Sequence, residues 1–273
     1  MSAVPTTLTD TYRAVPLLQD KVIVVSGVGP GLGHALSTEA ARMGANLILV
    51  ARTEQRLRQV ADEVIALGAK AAVIPTDITD EQQRTDLVER AVAEFGRIDC
   101  VINNAFAIPP MNPITEIDLA ALRAVNETNV YAPLRLSALF ADALAASRGS
   151  IIMLNSCVSY SSQPEFSGYK LSKGTLQHLA SSLATELGPR GIRVNSVAPS
   201  YVYEDINKAY FDWLASQAGV DHAEIYRQKA EPTDLKRLAG PEEVARATLF
   251  LASDLATAVT GQMLTVDCGE FHR

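Results

Sequence analysis

From Lys21 onward, short β-branched runs alternate with longer stretches of helical period, and this alternation constrains the fold more than any other feature of the chain. KVIVVS precedes a helical stretch from Leu32 to Met43, NLILVA precedes Glu54 to Leu67, AAVIPT precedes Glu81 to Phe95, and RIDCVIN follows. The second half continues with a long helical stretch from Leu119 to Ala146, the strand SIIML, a helix from about Gly168 to Leu187, the strand IRVNSVA, a helix from Pro241 to Ala252 and a last strand QMLTVD. Two strands joined through a helix lie parallel, because only a long crossover returns the chain to the same edge. The pattern predicts an α/β fold, with one Rossmann-type doubly wound parallel sheet of about seven strands and helices on both faces.

Gly44, Gly68, Gly96 and Gly188 each follow a helical stretch, where a left-handed C-terminal cap favours glycine. Residues 1–20 are polar, Thr-rich and carry two prolines, so they read as an irregular arm. Residues 21–273 read as a single catalytic domain. Within it, Tyr201 to Leu238 breaks the alternation and reads as an insertion covering one end of the sheet.

The chain has 273 residues, with 24 basic against 31 acidic side chains and a net charge of −7, which speaks against nucleic acid as a partner. No apolar run exceeds the five residues Leu47 to Ala51, far short of the roughly 20 that a spanning helix needs, so no membrane role is expected. The N-terminus lacks a basic region followed by an apolar one, and a cytoplasmic location is expected. Cys100, Cys157 and Cys268 form no CxxC pair and have no histidine at ligand spacing, so a reduced, metal-free chain is the simplest reading.

SGVGPGLG, Ser26 to Gly33, directly follows the first strand and leads into a helix. Gly27, Gly31 and Gly33 miss GxGxxG in every register but fit [TS]GxxxGxG. Either pattern serves a tight turn, close backbone approach to a pyrophosphate and anion binding at a helix N-terminus. Four glycines in the seven residues 27–33 exceed what a plain turn requires. Tyr169 and Lys173, four apart in GYKLSKG, share a helix face. Alone, such a pair reads as a solvated face; in one site, a cation favours phenolate and makes the tyrosine a usable acid/base for an alcohol and carbonyl pair. Ser156 ends the run SIIMLNS with its hydroxyl at the carboxyl side of the sheet, where ligands bind. Asn129 lies in a helical stretch, where it is equally well read as a surface amide.

Together these residues resemble the short-chain dehydrogenase/reductase family in its single-domain form, over about Lys21 to Glu270. The resemblance is carried by SGVGPGLG, TDITD at 76–80, NNAF at 103–106, Asn129, Ser156, Tyr169 with Lys173, VNSVAPS at 194–200 and TGQMLTVDCGE at 260–270. It implies an NAD(P)-dependent oxidoreductase with Tyr169 as acid/base, Ser156 orienting the substrate oxygen, and Lys173 lowering the tyrosine pKa and holding ribose hydroxyls. Asn129 would order a water in a proton relay, Asp77 beside Ile78 would meet the adenine, and Asn104 would lie along the cofactor, with Leu32 in the glycine turn. A homotetramer or homodimer is also implied.

Departures from the family pattern bear on fine geometry. NNAG ends in Phe106, which narrows the space beside the cofactor; PG is Pro199-Ser200, the threonine expected a few residues later has no match in SYVYED, and GG is Cys268-Gly269. Where an NAD-selective site carries an acid, this chain has Ala51 followed by Arg52, which favours the 2′-phosphate of NADP over NAD; Pro30 stands where a second basic residue is often found. Phe106, Cys157, Phe166, Tyr201 and Trp213 are expected to wall an apolar, cyclic alcohol or ketone. The aromatics of 201–238 could equally form a satellite core. Two other readings stand beside this one: a dinucleotide-binding sensor or scaffold without turnover, and a reductase of an activated C=C bond.

Overall fold

A computed structural model describes residues 15–272; the expected arm lies outside the described residues up to position 14. The strands are β1 (Val22–Ser26), β2 (Asn46–Ala51), β3 (Ala71–Pro75), β4 (Cys100–Asn103), β5 (Ser150–Leu154), β6 (Arg193–Pro199) and β7 (Met263–Val266). They form one sheet in the order β3-β2-β1-β4-β5-β6-β7, and every neighbouring pair is parallel. The helices are α1 (Leu32–Arg42), α2 (Glu54–Ala66), α3 (Glu81–Phe95), α4 (Leu119–Asn126), α5 (Ala132–Leu139), α6 (Ala141–Ser147), α7 (Ser167–Leu187), α8 (Asp205–Ala218), α9 (His222–Ala230) and α10 (Pro241–Ala252).

Covered on both faces, β1 and β5 are buried along their whole length, which is why they read as continuous rather than alternating apolar runs. On one face Leu36 of α1, Leu57 of α2 and Leu249 of α10 pack into one core. On the other, Leu87 of α3, Leu136 of α5 and Leu176 of α7 pack around the fully buried Phe140. Helices α3, α4 and α9 begin at Asp80, Asp118 and Asp221, each of whose carboxylates accepts a backbone N–H of its own first turn.

Two expectations are corrected. Gly44, Gly68 and Gly96 take the left-handed conformation, but Gly188 has φ −53° and the left-handed turn comes at Gly191. The reason is local: Pro189 carries the helix on through a 3₁₀ turn, Gly188–Arg190, and delays its end. The stretch from Leu119 to Ala146 is not one helix. It is α4, a π turn over Glu127–Tyr131, α5 and α6. Residues 201–238 contribute α8 and α9, which enclose a small core of Phe211, Ile225, Tyr226 and Leu238.

Candidate active site

The strand order reverses between β1 and β4, which opens a crevice at the carboxyl ends of the strands where α/β sheets bind ligands. A cleft of about 1370 Å³ runs there, touched by residues that end or directly follow six of the strands, among them Ser26, Ala51, Asp77, Asn104, Ser156 and Ser200. Every site residue expected from sequence lines this cleft except Asn129.

At its middle lies the glycine turn. Gly27 has φ +92°, and a Cβ there would stand 2.5 Å from the Ala105 backbone. A Cβ on Gly33 would collide with the Gly27 carbonyl oxygen. Asn104 locks the turn by donating its Nδ2 hydrogen to Gly27 O at 2.7 Å. The bare backbone and the N-terminus of α1 therefore form a cradle that suits a dinucleotide pyrophosphate. To one side lie Arg52, Arg56, Asp77 and Ile78. The Asp77 carboxylate accepts from the backbone N of Thr79 at 2.9 Å and its hydroxyl at 2.7 Å. The bond to the Thr79 backbone, then that to its hydroxyl, hold Asp77 below the ordinary carboxylate value, and Arg52 adds to this.

On the other side, β5 delivers Ser156 and the first turns of α7 deliver Tyr169 and Lys173 to the same wall. Ser156 Oγ accepts the N–H of Val158 at 3.2 Å, which orients the hydroxyl. The Lys173 ammonium is buried, donates to Leu154 O at 2.7 Å and stands 4.5 Å from the centre of the Phe106 ring. Phe106 in turn meets Tyr169 edge-on at 5.4 Å. The expected lowering of the Tyr169 phenol by Lys173 is corrected. Burial holds the phenol above its ordinary value, with the nearby Ser156 hydroxyl acting in the opposite direction. After burial, the neighbouring Cys157 and Tyr201 add to the rise, and burial lowers the Lys173 ammonium itself to about 7.

Asn129 is the one expected site residue whose side chain is turned to a neighbouring loop. Its amide is buried in the π turn, where Oδ1 accepts from Ala107 N and Nδ2 donates to Ala107 O, each at 2.8 Å. Its side chain thus clamps the loop that carries Phe106, while the neighbouring Thr128 faces the cleft.

Beyond Tyr169 the cleft is walled by Cys157, Phe166, Tyr201, Tyr210 and Trp213. The Cys157 thiol donates to Ala198 O, and burial pushes its pKa up, so it is a wall and not a nucleophile. The aromatic set divides: Phe211 is fully buried in the small core, whereas Trp213 is 55% exposed and stacks on Tyr210 at 5.9 Å. Among the cleft residues that escape the sequence reading are Arg56 and Glu204. Arg56 lies one turn beyond Arg52, a spacing that was available as a signal. Glu204, whose carboxylate accepts the Leu32 N–H at 2.7 Å, reaches the glycine turn across 172 positions and has no local signature.

Comparison with known proteins gives the same picture. The family model described as enoyl-(acyl carrier protein) reductase matches residues 27–270. The 7alpha-hydroxysteroid dehydrogenase of Escherichia coli (strain K12) is 31% identical over 253 residues, covering 92% of this chain and 94% of that protein. Cis-4-hydroxycyclohexanecarboxylate dehydrogenase of Sinomonas cyclohexanicum is 34% identical over 251 residues, covering 92% and 96%. A solved structure of 7alpha-hydroxysteroid dehydrogenase complexed with NADH and 7-oxo glycochenodeoxycholic acid superposes with a TM-score of 0.82 at 30% identity, over 92% of this chain and 94% of that one. Matched over nearly its whole length in sequence and in fold, the chain belongs to the short-chain dehydrogenase/reductase family and is an NAD(P)-dependent oxidoreductase acting between alcohol and ketone.

Proposed function

We propose that the substrate is a secondary alcohol or ketone on a largely apolar, cyclic skeleton, with Tyr169 as acid/base and NADP as the preferred cofactor. The observation that carries this reading is the meeting of Ser156, Tyr169 and Lys173 on one wall of a cleft whose far end is aromatic. The nicotinamide, when bound, gives or takes the hydride. In reduction the Tyr169 phenol donates its proton to the carbonyl oxygen; in oxidation the phenolate accepts the substrate hydroxyl proton, so with the phenol raised by burial the oxidation rate is expected to climb with pH. Ser156 Oγ donates a hydrogen bond to the same oxygen, and Lys173 Nζ holds ribose hydroxyls. The four-residue spacing of Tyr169 and Lys173 supports carbonyl over C=C chemistry.

Phe166, Tyr201, Tyr210 and Trp213 support an apolar ring system as the substrate's body. The charged side chains that line that end are Glu165 and Glu270, with Lys229 over the Tyr201 ring at 5.0 Å, while the basic lining residues are Arg52 and Arg56, at the far side of the glycine turn, and the buried Lys173. This charge pattern favours neutral substrates over carboxylates. NADP is supported by Arg52, directly after β2, and Arg56, in the first turn of α2, since arginine pairs with a phosphate through parallel hydrogen bonds. A homo-oligomer belongs to the same proposal, supported by the exposed Tyr131, Leu134 and Leu171 on neighbouring helical segments.

The test is kcat/KM for NADP and NAD in wild type and in R52A, with a panel of cyclic alcohols of different charge. The reading expects NADP to be preferred, R52A to weaken NADP more than tenfold with NAD nearly unchanged, and neutral substrates to outrun carboxylates. A wild-type preference for NAD, or unchanged discrimination in R52A, refutes the cofactor choice.

A further inference from the structure

Helix α1 is capped unlike its neighbours. Its N-cap, Gly31, has no side chain to offer, and its first turn contains no acid. The Leu32 N–H instead donates to Glu204 Oε2 at 2.7 Å, from the segment just before α8. That oxygen sits directly over the bare face of Gly31, where a Cβ would collide with it. A carboxylate therefore stands on the spot where the backbone cradle and the positive end of the helix dipole would receive a phosphate oxygen.

We propose that Glu204 is an internal anion which the pyrophosphate of the cofactor must displace, so that this residue sets dinucleotide affinity. The proposal rests on the reading of the glycine turn as the pyrophosphate site. Two anions cannot share one donor N–H: each wants the same hydrogen, and they repel at contact distance. One cation, Lys208, partly offsets the charge of Glu204, and it is shared with other partners. Lys208, one turn along α8, is directed to Asp205 at 3.4 Å and to the Tyr203 ring at 5.1 Å. Facing Glu204 are Asp205 on its own segment and Glu242 on α10, both of which add negative potential. Burial raises the carboxyl above its ordinary value, with the Leu32 bond partly opposing.

The test is calorimetric titration of wild type, E204A and E204Q with ADP-ribose, which carries the pyrophosphate but no nicotinamide, and with adenosine, which carries neither. Both variants are expected to bind ADP-ribose at least tenfold more tightly than wild type, with adenosine affinity unchanged. Gln keeps an acceptor for the Leu32 N–H, so it alone decides the matter if E204A melts too low for titration. ADP-ribose affinity equal to or weaker than wild type in E204Q overturns the proposal and leaves the site reading intact. ADP-ribose binding to none of the three proteins overturns the site reading and the proposal with it.

Discussion

Tyr169 and Lys173 are both held out of their ordinary titration ranges by burial, in opposite directions. Burial penalises whichever form is charged, so the phenol is raised and the ammonium is lowered to about 7. In the cofactor-free protein the difference in absorbance between wild type and Y169F is therefore expected to show the Tyr169 phenol titrating above the ordinary tyrosine value; titration below that value would contradict the burial. For Lys173 the sign follows from proton uptake. Between about 7 and the ordinary lysine value of 10.5 the unfolded chain holds a proton that the folded chain does not, so stability from this group rises with pH by about 1.4 kcal/mol per pH unit. K173M should lose that slope between pH 7 and 10, read as the difference between the two proteins' denaturation curves. At this scale the triad of Ser156, Tyr169 and Lys173 was legible because each motif sits at a strand end or on one helix face. Glu204 was not, since a contact between residues 32 and 204 leaves no periodicity to read.

The π turn at Glu127–Tyr131 shows where helical period ceases to be informative. An extra residue in one turn leaves the apolar spacing of 119–146 nearly unchanged while swinging Asn129 inward to grip Ala107. Asn129→Ala would strand a partly buried N–H and C=O at Ala107, at a cost of about 1–3 kcal/mol. A fall in Tm together with lost turnover is expected, because the freed loop carries Phe106. Unchanged stability would show the clamp to be idle. The 201–238 segment separates likewise into two kinds of aromatic. Phe211 is fully buried, so Phe211→Ala should cost about 3–5 kcal/mol. Trp213 is mostly exposed and lines the cleft, so Trp213→Ala should raise KM severalfold with Tm nearly unchanged. If W213A instead collapses Tm while kinetics at low temperature stay normal, the tryptophan is structural. Most other helix bounds agreed with the sequence reading to within a residue or two, because apolar period and end signals coincide there.

At the scale of the whole molecule, the parallel order β3-β2-β1-β4-β5-β6-β7 gathers residues from six strand ends into one cleft. The strand and helix alternation foretold this sheet, and the carboxyl-end rule then located the cleft. What the alternation could not convey is how the cleft is partitioned, since that depends on side chains from distant segments meeting over the glycine turn and beside Tyr169. The central claim is that this cleft moves a proton through Tyr169 while the cofactor carries the hydride. Its most direct test follows nicotinamide absorbance with neutral cyclic secondary alcohols and ketones, in wild type and Y169F, alongside ADP-ribose binding to both. The predicted result is turnover in wild type, a loss of roughly 10²–10⁴-fold in Y169F, and nearly equal ADP-ribose affinity in the two proteins. A Y169F enzyme that works at close to the wild-type rate would contradict it.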